Sequence, residues 1–145
     1  MPSSFEGFGV RFLYPDNWKI VEQTEPGEES TAGVMLETPE KAFFSVNRYT
    51  GNVSPQKVVD QAIAAMQGEY QEIEVTPLED ETATPRDASA ELSFYYLDLL
   101  VETRLLGIAD RDEVLLVQIQ GESRDFDRLE PVFQAMLQSL RESLG

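Results

Sequence analysis

Apolar and polar positions alternate over much of this chain. The longest such stretch, Ala88–Ser123 (ASAELSFYYLDLLVETRLLGIADRDEVLLVQIQGES), is the one the rest is built around. Alternation of this kind, rich in branched and aromatic residues, predicts strands, here three in succession. In the first, Ala88, Ala90, Leu92, Phe94 and Tyr96 share one face and Ser89, Glu91, Ser93, Tyr95 and Leu97 the other. In the third, Leu115, Val117 and Ile119 are opposed by Leu116, Gln118 and Gln120. Asp110–Asp112 is a strong turn signal. The turn near Leu97-Asp98-Leu99 has no glycine, so the pattern leaves its register open.

The flanking segments predict shorter pieces. Val10, Phe12 and Tyr14 alternate with Arg11 and Leu13 as a strand, Pro15-Asp16-Asn17 turns the chain, and a second strand begins at Trp18. Trp18, the single Trp, is expected to plug one end of the core. Gly33–Thr38 and Lys41–Tyr49 form a hairpin around Pro39-Glu40. Ser54-Pro55 opens a helix, with Ser54 capping free amides and Pro55 where its missing N–H costs nothing. Val58, Val59, Ala62, Ile63, Met66 and Tyr70 give that helix an apolar stripe. Glu72–Leu78 is a short edge strand. Asp127–Leu144 is the last helix, with Asp127 and Glu130 at capping-box spacing, Phe126 as the staple and Pro131 in the first turn. Gln23–Ala32 and Glu79–Arg86 are acidic loops. In the first, Glu25, Glu28 and Glu29 fit no calcium-loop spacing, and solvation is the expected role.

Strand hairpins, a helix, more strands and a final helix over residues 1–145 predict a single α+β domain. The expected architecture is one antiparallel sheet with both helices packed mainly on one face. That leaves a mixed second face, on which Phe43, Tyr49, Tyr95, Leu97 and Gln118 form a candidate protein-binding surface.

Composition removes several chemistries. There are no cysteines and no histidines. A thiol nucleophile, a Ser-His-Asp triad and the usual transition-metal ligand sets are therefore excluded. We find no glycine-rich phosphate loop, and no cofactor is expected. Against 27 acidic residues stand 11 basic ones, a net charge of −16. Such a surface repels nucleic acid and anionic membranes. No window reaches the about 18 apolar residues of a membrane span. The opening MPSSFEGFG has no signal-peptide pattern, so a cytoplasmic location is expected.

The run Phe12-Leu13-Tyr14-Pro15-Asp16-Asn17-Trp18 resembles the F-x-Y-P-x-x-W start of the Mog1/PsbP-like superfamily. The order of elements is similar over essentially the whole chain, including the helix after Ser54-Pro55 and the last helix with Leu137-Gln138-Ser139-Leu140. The resemblance implies a binding or assembly role, since members such as PsbP, Mog1 and the DcrB-like proteins are not enzymes. The metal sites linked to PsbP proteins use His, which this chain lacks.

Two functions follow as expectations. The first is a non-enzymatic, chaperone-like or assembly module that binds a protein partner, or a second protomer, through the open sheet face. The alternative is a hydrolase with paired carboxylates, a weak signal in so acidic a chain.

Overall fold

The computed structural model describes residues 2–24, 32–51, 53–70, 72–76 and 87–144. Both acidic loops lie outside these residues for most of their length, and with them Glu25, Glu28 and Glu29.

The chain opens with a hairpin of β1 (Ser3–Gly7) and β2 (Val10–Tyr14), which forms a sheet of its own. Its turn is Phe8-Gly9, both at positive φ, the backbone that two-residue hairpins require. The sequence pattern did not announce β1. A turn through Pro15-Asp16-Asn17, closed by Trp18 N–H donating to Pro15 O at 3.1 Å, leads to β3 (Lys19–Thr24). Then come β4 (Ala32–Glu37), β5 (Phe43–Tyr49), α1 (Pro55–Glu69) and β6 (Glu74–Thr76), followed by β7 (Ala88–Tyr96), β8 (Leu99–Asp110), β9 (Glu113–Glu122) and α2 (Ser123–Ser143). The main sheet has seven antiparallel strands in the order β3-β4-β5-β9-β8-β7-β6.

The α+β class, the antiparallel sheet and the two helices are as the pattern predicts. The placement of the helices is not. Leu116 and Val114 of β9 pack in one core with Val58, Val59 and Met66 of α1. Leu115, Val117 and Ile119 pack in the other, with Phe133, Leu137 and Leu140 of α2. Neighbouring residues of a strand point to opposite faces, so the helices lie on opposite sides of the sheet. The fold is a three-layer sandwich, with the β1–β2 hairpin sharing the α2 side: Phe12 meets Phe44 of β5 at 5.5 Å between ring centroids.

The physical reason lies in two turns. Tyr96 pairs with Leu99 and Asp110 with Glu113, so each hairpin loop has two residues. Even-numbered positions of β7 therefore align with odd ones of β8 and even ones of β9. Leu92 and Phe94 share the α1 face with Leu116 and Gln118, not with Val117 and Ile119. A one-residue difference in register moves every side chain across the sheet.

Helix α1 begins as expected: Ser54 Oγ accepts from Lys57 N–H at 3.1 Å, with Pro55 at the first position. Helix α2 begins four residues earlier than the capping box predicts. β9 runs directly into Ser123, and Pro131 sits inside the helix. The apolar face explains this, because Phe126 is already a core residue on the same stripe as Leu129 and Phe133.

Candidate functional site

The side chains predicted as one binding face fall into two groups. Phe43, Tyr49 and Gln118 point to the α1 side, where Ser45 lies opposite Gln118 and Tyr49 opposite Val114. Tyr95 points to the α2 side, and Leu97 stands in the turn between β7 and β8. The five do not form a single surface, for the same reason of register.

The first group lies among polar side chains, some of which bond one another. Helix α1 packs on β7, β8 and β9, not over the middle of β4 and β5, so Phe43, Ser45 and Asn47 lie beside it. Thr103 Oγ1 donates to Gln120 Oε1 at 2.8 Å, and Gln118 Nε2 reaches the same oxygen at 3.5 Å. Asn47 fills the space above Gly33. Ser45 is buried, and Tyr49 packs against the α1 core, where burial raises its phenol above the usual value. A hollow of about 140 Å³ remains between Glu22, Thr24, Met35 and Asn47. With Ser45 buried and Thr103, Gln118 and Gln120 bonding one another, this side gives a partner little to bury.

The second group is the opposite case. β9 ends at Glu122, opposite Val101, and β6 reaches only as far as Ser93. The β7–β8 hairpin outruns both neighbours, and its tip carries large apolar side chains into solvent. Tyr95 is 72% exposed, Tyr96 54%, Leu97 78% and Leu99 45%. Leu97 and Asp98 have φ of 51° and 65°, the left-handed region that favours glycine or asparagine. Phe8 adopts a similar backbone, but its ring packs against Phe5 at 5.6 Å. Leu97 carries the strain without that return. The hairpin is held firmly from behind: Tyr70, at the end of α1, stacks on Phe94 at 4.2 Å and meets Tyr96 edge-on at 6.1 Å. A stiff apolar knob loses little freedom when it docks.

Carboxylates border this tip. Glu74 of β6 and Glu102 of β8 flank Ser93 of β7, and Glu91 lies opposite Arg104. Burial pushes the Glu102 carboxyl above its ordinary 4.5; Glu91 and Asp127 add to the rise, while a hydrogen bond from Ser123 and the charge of Arg104 oppose it. Arg104 itself is held by Glu130 of α2 at 2.9 Å and lies over the Phe126 ring. A carboxyl with a raised folded-state pKa contributes stability that is full below its unfolded value and is lost as pH rises through the folded one. Glu102→Gln is therefore expected to raise the melting temperature at neutral pH, with the gain vanishing as pH falls below about 4. Melting curves at the two pH values check this. A gain that persists unchanged in acid would contradict it. Among the described residues no three acidic side chains are placed to hold a metal ion.

A groove of about 590 Å³ lies between β2 and α2. Ser143 and Ser139 of α2 accept from the backbone N–H of Arg11 and Leu13 at 3.1 and 3.0 Å. One step further in each series stand Pro15, without an N–H, and Ala135, without a hydroxyl. The hydrogen-bonded seam ends there and an apolar hollow opens, lined also by Pro2, Pro131 and Met136. Its one carboxylate among the described residues is Asp16. Among the described residues, the hollow beside Gln134, Leu137 and Arg141 likewise has only Glu142, and the small one on the α1 side only Glu22. None of the three provides the paired carboxylates that glycoside hydrolysis uses.

No protein-family model matches the chain, and no curated protein matches it. Solved structures do. The solution structure of cyanobacterial PsbP (CyanoP) from Synechocystis sp. PCC 6803 aligns over 95% of this chain and 90% of its own, with a TM-score of 0.59 at 11% identity. The crystal structure of PA94, a protein of unknown function from Pseudomonas aeruginosa, aligns over 96% and 95%, with a TM-score of 0.52 at 15% identity. At such identities the likeness is one of fold. Among the described residues no helix is long and apolar enough to cross a membrane.

Proposed function

From a chain with the Mog1/PsbP-like fold, we propose a non-enzymatic binding or assembly module that docks a protein partner through the tip of the β7–β8 hairpin. One observation carries the reading: Leu97 is 78% exposed while holding a left-handed backbone. Solvation and backbone both disfavour leucine there, and the side chain has no packing role inside the fold. A strained residue with no structural return is grounds for a functional hypothesis. Tyr95, Tyr96 and Leu99 extend the same patch, and aromatic residues are enriched where interfaces bury their centres. Three hollows that each bring a single carboxylate among the described residues support a binder over a hydrolase. Phe43, Tyr49 and Gln118 lie on the other side of the sheet and are not part of this patch.

The test separates folding from binding. Leu97→Asn relieves the backbone and removes an exposed apolar group. It is expected to raise stability by about 0.5–1 kcal/mol in urea titrations while weakening co-purification of partners from native extract. Tyr95→Glu is expected to fold normally and bind still less. If both variants retain the wild-type set of partners, or if Leu97→Asn is destabilised, the reading fails.

A further inference from the structure

The hairpin tip also has a charge pattern. From Asp87 to Thr103 the chain carries Asp87, Glu91, Asp98 and Glu102 and no lysine or arginine. Glu74, Ser93 and Glu102 lie in one row across β6, β7 and β8, and the next row brings Glu91. Tyr95 and Leu100 pair directly beyond that row, on the same face. Arg104, the nearest cation along β8, is committed to Glu130. The surface thus reads as an apolar knob bordered by Glu74, Glu91 and Glu102, with Arg104, opposite Glu91, shared with Glu130 of α2.

Resting on the docking reading above, we infer that the partner is a basic segment: an aliphatic or aromatic side chain that seats against Tyr95, Leu97 and Leu100, flanked by lysine or arginine that reach Glu91 and Glu102. The charge pattern selects this occupant. A second copy of the chain meeting through a two-fold axis would set the patch against itself, with carboxylate row facing carboxylate row. A neutral apolar segment would bury the knob and bring nothing to pair with the bordering carboxylates. A basic segment does both jobs, since opposite charge across an interface steers the encounter and fixes register.

A random-sequence peptide display library selected on the wild-type protein, with counter-selection on Leu97→Glu, tests this. The expected result is enrichment of aromatic or aliphatic residues flanked by Lys or Arg. Synthetic versions of those peptides should bind the Glu91→Gln, Glu102→Gln double variant about fivefold more weakly, and should lose affinity for the wild type as salt rises. Selected peptides that are apolar without a basic excess, or that bind the double variant equally well, would overturn the basic-partner inference and leave the docking reading standing. A library that yields no peptide distinguishing wild type from Leu97→Glu would overturn both. A concentration-dependent dimer abolished by Leu97→Glu would replace the basic segment with a second copy.

Discussion

Replacing Trp18 with alanine is expected to cost about 3–5 kcal/mol of folding stability, the range of large aromatic truncations in cores. The indole is 6% exposed and meets the edge of Phe133 at 5.7 Å between centroids. Phe133 in turn touches Phe44 of the sheet and Phe126 of α2. One side chain therefore bridges the turn after β2, the last helix and the sheet. Its loss leaves a hole that three elements would have to close together. Urea unfolding of Trp18→Ala measures the cost; a midpoint unchanged from wild type would mean that the turn packs independently of the core.

Gly107→Val is expected to be nearly as damaging, about 3 kcal/mol, for the opposite reason. A Cβ on Gly107 would stand 2.8 Å from Pro55 O and 3.1 Å from Pro55 Cα. Those are backbone atoms of the first turn of α1, which cannot swing aside as a side chain would. The glycine lets the helix sit directly on β8, so this one substitution reports on the layer that α1 forms. Gly68, within α1, has nothing within 4 Å of the equivalent position. Gly68→Ala should instead stabilise by about 0.5–1 kcal/mol through helix propensity. The pair read together in denaturant titrations distinguishes close approach from a general intolerance of larger residues. Gly107→Val matching wild type would place α1 elsewhere.

Much of the fold was legible because alternation and helical stripes are local signals. Ser54-Pro55 marked the start of α1, and Trp18 is buried at the sheet end as expected. The helix faces were not legible, because they depend on the parity of two turns. Leu97-Asp98 is an ordinary two-residue hairpin loop without the glycine that would have declared it. Once that loop is counted, Leu92 and Gln118 fall on one face and Val117 on the other. The start of α2 was hidden by polar Ser123, Arg124 and Asp125, although the stripe from Phe126 through Leu129 and Phe133 already pointed to an earlier start. The N-terminal strand was missed because Phe5 stands among Ser3, Ser4, Glu6 and Gly7, with little alternation to read.

Of the five residues read from the sequence as one face, Tyr95 and Leu97 stand at the exposed hairpin tip, together with Tyr96 and Leu99. Their signal was present in the run Tyr95-Tyr96-Leu97-Asp98-Leu99-Leu100, a turn built from apolar residues where soluble proteins use polar ones. Phe43, Tyr49 and Gln118 were grouped with them on the premise of a single open face. The structure sets them on the other side of the sheet from Tyr95, where Gln118, Gln120 and Thr103 bond to one another.

The central claim is that this protein meets its partner through the hairpin tip. Site-specific photocrosslinking tests it most directly. A benzophenone side chain is placed in turn at Leu97, at Phe43 on the α1-side surface and at Ala135 in the β2–α2 groove, and each protein is irradiated in native extract. The account predicts a discrete crosslinked product from position 97, lost when Tyr95→Glu is added, and none from positions 43 or 135. Products from position 43 or 135 with position 97 silent would contradict it.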